Sequence, residues 1–377
     1  MPQDSTAPAN ENLQTDSSFT RQEIYAQAHI WSQTVRDIVA DADRLQLFDK
    51  LAHKRVVLTG AGTSAYAADA IAAAWPRARA VPTTDLLVDS QRWLSETDVL
   101  ISLARSGDSP ESAPVVQLAR SSHPEIFQLA IVCNSNGALA QAEVDHVLTL
   151  DPRTDDHSLV MTSSFSNLVL AGMTLARPEQ TQNDVENLSK RTAALLNTVS
   201  QAGRTAALRA IDRIVVLSSS PLAGWRNEAA LKFLEMTAGR FPVLAESFLG
   251  LRHGPMSFLR PETLVFCLLS NDPLRREYEL DLLRELRDKK IGYLVGIAEE
   301  GEVAAHFDQV IPAIAPHIED ALRTPYEIVA AQLLGYHLSL LSGLNPDNPS
   351  PDGVINRVVQ GVTIHLPEPQ GSVISGR

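Results

Sequence analysis

The stretch VVLTGAGTSAYAADA, residues 56–70, decides how the rest of the chain is read. Three aliphatic residues, 56–58, run into a glycine turn carrying hydroxyls, and an alanine-rich segment follows. Strand, tight turn and helix in that order are the opening of a βαβ unit. Gly60 and Gly62 permit close backbone approach. Thr63 and Ser64 stand where hydroxyls cap a helix and also donate to an anion at its N-terminus. Such a turn suits a phosphate. It is not a dinucleotide fingerprint, because the third glycine of G-x-G-x-x-G is absent, and it is not a P-loop, because G-K-[ST] is absent. Taken alone, it fits a plain capped turn equally well.

The next strand, 99–103, ends in ISLARSGDSPES, residues 101–112. Arg105, Ser106, Gly107 and Ser109 crowd one turn, and Pro110 is expected at the first position of a helix. Two anion cradles at neighbouring strand ends reinforce each other, because open α/β sheets bind ligands at the C-terminal edge of their strands. Further strands are expected at 55–58, 127–133 and 146–150, with helices near 64–75, 110–121 and 137–143. A capping-box pattern, Thr20 to Glu23, opens a helix to about residue 40. Residues 158–210 read as mostly helical.

The pattern then restarts. RIVVLSSSPLAGWRNEAALKFLE, residues 213–235, echoes the opening stretch at an offset of 159 residues, from Val56 to Val215. Strands near 242–245, 263–269 and 292–297 and helices over 273–289 and 324–342 complete a second α/β unit. The echo implies two related domains. Ser218, Ser219 and Ser220 replace Gly60, Ala61 and Gly62, so the second copy is expected to lack the tight turn.

Composition limits the function. The 377 residues carry a net charge of −13, with 44% hydrophobic and 20% charged residues. That balance builds a large core and disfavours a nucleic-acid surface. Two cysteines, Cys133 and Cys267, make neither a disulfide framework nor a zinc site. No metal-binding histidine spacing occurs. No long apolar run or leader-like segment appears, which implies a soluble, cytoplasmic protein without membrane contact. The polar stretch 1–19 reads as disordered.

In EAALKFLE, residues 228–235, Glu228, Lys232 and Glu235 fall at i, i+4 and i+7, on one stripe of a helix. An ordinary solvated ion pair is one reading. The stripe lies among alanine, leucine and phenylalanine, which favours a cavity-facing cluster suited to proton transfer. His253, in LRHGP, sits in a Gly-Pro loop unsuited to core packing.

GAGTSAYAADA and ARSGDSPES resemble the two phosphosugar-binding loops of sugar isomerase (SIS) domains. MTSSFSNLVLAG (161–172), EAALKFLEMTAG (228–239), FLGLRHGPMSF (248–258) and GLNPDNPSPDGVINRVVQGVTIH (343–365) narrow the resemblance. Together they resemble, in order, the AgaS-type tagatose-6-phosphate ketose/aldose isomerases and galactosamine-6-phosphate deaminases. The resemblance implies an α/β fold of two flavodoxin-like, parallel-sheet SIS domains in tandem, with an N-terminal helix and a C-terminal tail. It places the first domain with its leading helix at 20–200, the second at 201–345 and the tail, closing the active site, at 346–377.

For the site, the resemblance implies that Gly62, Ser64, Arg105, Ser106 and Ser109 hold the phosphate. Thr63 lies near the sugar hydroxyls, and Thr162 and Ser163 close the pocket. Glu235 matches the proton-shuttling glutamate of the related amidotransferase isomerases, with Glu228 and Lys232 as its polar support. His253 opens the sugar ring, often delivered from a neighbouring subunit, which implies a homodimer or dimer of dimers with shared sites. Gln360 stands where those isomerases carry a lysine, so a lysine role is not carried over. The implied reaction converts galactosamine 6-phosphate to tagatose 6-phosphate and ammonia without cofactor, metal or nicotinamide. An amino-free hexose 6-phosphate or 6-sulfonate isomerase, and a non-catalytic phosphosugar sensor, are the alternatives.

Overall fold

The computed structural model describes residues 17–299, 301 and 303–365. Most of the expected disordered N-terminal stretch, and the end of the tail, lie outside the described residues. Two five-stranded parallel sheets carry the chain. The first contains β1 (Val56–Gly60), β2 (Ala78–Pro82), β3 (Val99–Ala104), β4 (Phe127–Val132) and β5 (His146–Thr149), in the order β2-β1-β3-β4-β5. The second contains β6 (Arg213–Leu217), β7 (Val243–Glu246), β8 (Thr263–Leu268), β9 (Tyr293–Ala298) and β10 (Gln309–Pro312), in the order β10-β9-β8-β6-β7. Read from the β7 edge, the second order repeats the first, so the echo between residues 56 and 215 is an echo of topology. Every residue of β1, β3 and β8 is buried, as strands covered on both faces must be.

Twelve α-helices follow in chain order: α1 (Phe19–Leu45), α2 (Leu47–Leu51), α3 (Thr63–Ala74), α4 (Thr83–Val88), α5 (Ser90–Leu94), α6 (Ser112–Ser122), α7 (Ser163–Ala176), α8 (Pro178–Ala207), α9 (Ala223–Met236), α10 (Phe248–Leu251), α11 (Pro273–Asp288) and α12 (Thr324–Leu341). The largest apolar cluster joins both sheets through α1, α3, α7, α9 and α12. The outer face of the first sheet is covered by α4, α5 and α6, and that of the second by α10 and α11. The helix α3 of the first unit lies directly against α9 of the second. A Cβ on Gly224 would come within 2.7 Å of the Ala70 backbone nitrogen, so glycine is what allows this approach.

Three local expectations are corrected. Pro110 does not open a helix: the turn runs on to Glu111, and α6 begins at Ser112. Residues 137–143 form turns rather than a helix, because Gly137 packs on the backbone of Ser106 and Gly107. The two edge strands β2 and β10 were absent from the sequence reading. The turn after β6, where three serines stand, contains a cis Ser220–Pro221 bond in place of the glycine turn after β1.

Candidate active site

The loops after β1 and β3 meet at the C-terminal edge of the first sheet, where its strand order changes direction. A cavity of about 310 Å³ opens there. Gly62, Thr63 and Ser64 form one wall, and Arg105, Ser106, Gly107 and Ser109 form the next. Glu235 enters from α9, and Asn356, Arg357 and Gln360 cover the cavity from the C-terminal tail. The structure thus brings together the two cradles, Glu235 and Gln360.

The second cradle is held from behind. Leu139 N–H donates to Gly107 O at 3.0 Å, and Ala138 N–H donates to the Asp108 carboxylate at 2.9 Å. A Cβ on Gly137 would fall 1.7 Å from Ser106 O, so only glycine admits this support. The guanidinium of Arg105 is almost fully buried. Its Nη1 donates to Ser158 O and Leu159 O at 3.1 Å, and its Nη2 donates to Arg357 O at 2.9 Å. Arg105 therefore ties the loop after β3 to the tail as well as lining the cavity. Arg357 in turn donates to Asp155 at 2.6 Å and to Asp156 O.

The stripe on α9 is not a solvated pair. Glu228 and Lys232 are fully buried, while the Glu235 side chain is 22% exposed. Lys232 Nζ lies 3.1 Å from Glu228 Oε1 and 2.7 Å from Glu235 Oε2. Thr63 Oγ1 accepts from Lys232 at 3.1 Å and donates to Glu228 at 3.3 Å. This hydroxyl links the first domain's loop to the second domain's carboxylates. Burial pushes the Glu228 carboxyl up to about 7, against the attraction of Lys232. Burial disfavours the Lys232 ammonium, but the two carboxylates outweigh it and hold its pKa above the ordinary lysine value. One lysine between two glutamates fixes the Glu235 carboxylate at the cavity while leaving part of it open to a ligand.

Two sequence-predicted groups lie elsewhere. Thr162 and Ser163 do not line the cavity. The Thr162 backbone N–H and the Ser163 hydroxyl donate to Asp156, at 2.8 and 2.7 Å, which caps α7. Leu159 and Met161 of the same stretch line the cavity instead. His253 is exposed in the turn after α10 and does not line the cavity within one chain. Among the lining residues that sequence reasoning did not single out are Ser112, Leu159 and Met161, and from the tail Val354, Ile355, Asn356, Arg357 and Val359. The signal for the tail residues was the run GVINRVVQG, residues 353–361, of which only Gln360 was singled out.

A sheet-edge cavity with two hydroxyl-rich anion loops and a carboxylate supplied by a second α/β unit defines a phosphosugar-binding class of protein. The SIS domain family matches residues 51–177. The D-galactosamine-6-phosphate deaminase AgaS of Escherichia coli is 36% identical over 92% of this chain and 96% of its own. That of Shewanella sp. strain ANA-3 is 34% identical, covering 82% of this chain and 81% of its own. The crystal structure of tagatose-6-phosphate ketose/aldose isomerase from Escherichia coli superposes with a TM-score of 0.82 at 33% identity, covering 93% of this chain and 97% of the other. The chain belongs to the AgaS-type family of tandem SIS proteins.

Proposed function

We propose that this protein is a galactosamine-6-phosphate deaminase that releases ammonia in an aldose-to-ketose isomerisation. The observation that carries the reading is Glu235: it faces a cavity walled by two phosphate-type loops and is pinned by a buried lysine. In the proposed reaction the two cradles hold the 6-phosphate, and their binding energy orients the reacting end. The open-chain aldose presents its C2 proton to Glu235. Removal of that proton gives an enolamine, and return of the proton at C1 gives a C2 imine with a C1 alcohol. Water adds to the imine, ammonia leaves, and tagatose 6-phosphate remains. The electrons stay within the sugar, so the step needs no redox partner.

His253 is assigned to ring opening, supplied by a second copy of the chain, because it does not line the cavity of its own chain. Gln360 and Asn356 are assigned to the sugar hydroxyls. Thr63 acts by joining Glu228 and Lys232 to the phosphate loop. The test is a substrate panel with the full chain: galactosamine 6-phosphate, glucosamine 6-phosphate, tagatose 6-phosphate and a hexose 6-sulfonate. Ammonia release from the galacto amino sugar, faster than from the gluco sugar, is the expected result. Isomerisation of the amino-free esters without ammonia release from either amino sugar would overturn it, as would sugar-phosphate binding without turnover.

A further inference from the structure

The second sheet has its own C-terminal edge, and its crevice is used differently. Between β6 and β8, where the first sheet holds its anion loops, Ser270 N–H donates to Glu279 Oε2 at 2.7 Å. The buried Glu279 side chain of α11 fills this crevice. Beside it, a cavity of about 410 Å³ opens at the ends of β8, β9 and β10, reached by Leu269, Ala298 and Ala313. Its volume lies within the range of small-ligand sites, roughly 300–1,000 Å³.

Arginines line this second cavity. Arg323 is 2% exposed and its Nε–H has no partner. Its Nη1 donates to Leu269 O at 2.6 Å and to Asp320 at 3.0 Å, which fixes the guanidinium in place. Arg276 donates through Nε to Ser270 O at 2.7 Å and through Nη2 to Asn271 Oδ1 at 3.0 Å, and forms no ion pair among the described residues. A held, half-buried guanidinium with no carboxylate partner is a ready anion receptor. His317 stands at the rim, 78% exposed, with its Nε2 3.6 Å from Glu299 Oε2, and Glu299 also lines the cavity. The acids nearby are already engaged. Asp320 accepts from Ser270, Asn271, Arg275 and Arg323, and Glu299 lies 3.5 Å from Arg191.

We propose that this cavity is a second, non-catalytic site that binds a small phosphate-bearing metabolite through the Arg276 guanidinium. Its link to catalysis is structural: α12 begins beside Arg323 and packs along α9, which carries Glu228, Lys232 and Glu235. The site does not depend on the identity of the reaction in the first domain.

The experiment is calorimetric titration of the full chain with inorganic phosphate and with fructose 6-phosphate. Wild type, Arg276→Gln, His317→Glu and the catalytic-loop variant Ser64→Ala are compared. His317→Glu places a negative charge on an exposed rim position, so it tests the site without threatening the fold. The expected result is a phosphate-binding component that survives Ser64→Ala and is weakened about tenfold or more by Arg276→Gln and by His317→Glu. Ammonia release in the absence of added phosphate stays unchanged in both of those variants. Tighter binding of fructose 6-phosphate than of phosphate at that component marks a phosphosugar ligand, and equal binding marks the phosphate group alone. Phosphate binding that is unaffected by both substitutions, or no component beyond the one Ser64→Ala removes, overturns the proposal. Loss of ammonia release in wild type would bear on the catalytic reading and leave this one standing.

Discussion

Lys232 is the residue on which the candidate active site turns. Its ammonium is buried between the fully buried Glu228 carboxylate, the Thr63 hydroxyl and the cavity-facing Glu235 carboxylate. Removing one partner of a buried ion pair leaves the other uncompensated, at a cost of about 3–5 kcal/mol. Lys232→Met is therefore expected to destabilise the protein by about that amount, measured by denaturant unfolding. Adding Glu228→Gln to Lys232→Met should restore most of the stability and none of the activity, because Glu235 still lacks its anchor. Equal instability of the single and double variants would show that the Glu228 charge is not the strained partner. The residue-level reading from sequence placed Glu228, Lys232 and Glu235 on one stripe correctly, since helical spacing is enough for that. Burial of the first two was not legible, because it depends on α3 of the other unit lying against α9.

At the level of elements, the two crevices diverge from one topology. In the first, glycine turns leave room for a ligand; in the second, Glu279 of α11 fills the space. Burial pushes the Glu279 carboxyl up to about 7 from 4.5, so the folded protein holds a proton that the unfolded chain releases. This group's contribution is fully present below the unfolded value and is lost as pH rises toward 7. Unfolding free energies of wild type and Glu279→Gln, measured from pH 4.5 to 8, should therefore diverge, with wild type losing ground as pH rises. A difference constant with pH would contradict the account. The long helices and the buried strands were legible because their periodicity is strong. β2 and β10 were not: ARAVP and QVIP are short edge strands, half-buried and interrupted by proline or charge, so no apolar run announces them. The turns over 137–143 were misread as helix because their alanines carry helix propensity, while contact with Ser106 fixes the conformation.

At the scale of the whole molecule, one chain supplies the cradles, Glu235 and the covering tail, but leaves His253 outside. If a second copy delivers that histidine, variants that are each inactive must rescue one another. Mixing Glu235→Gln with His253→Ala under conditions that exchange subunits should restore roughly a quarter of wild-type activity in a two-fold dimer, because half the dimers are mixed and each has one intact site. No recovery after demonstrated exchange would place His253 outside catalysis or confine the site to a single chain. The tandem arrangement itself was legible from the repeat between 56–70 and 215–229, and the relation to the AgaS-type family extends over most of the chain. The cover formed by residues 354–360 was only partly legible, because that segment has no regular structure and its position depends on Arg105 and Asp155.

In the proposed reaction Glu235 moves the proton between C2 and C1 while the loops of the first domain hold the phosphate. The most direct measurement is kcat and KM for ammonia release from galactosamine 6-phosphate by wild type and by Glu235→Gln. The account predicts a fall in kcat of about 10²-fold or more with KM changed little, since the substitution keeps the shape and removes the base. A Glu235→Gln enzyme that retains wild-type kcat, or that changes only in KM, would contradict it.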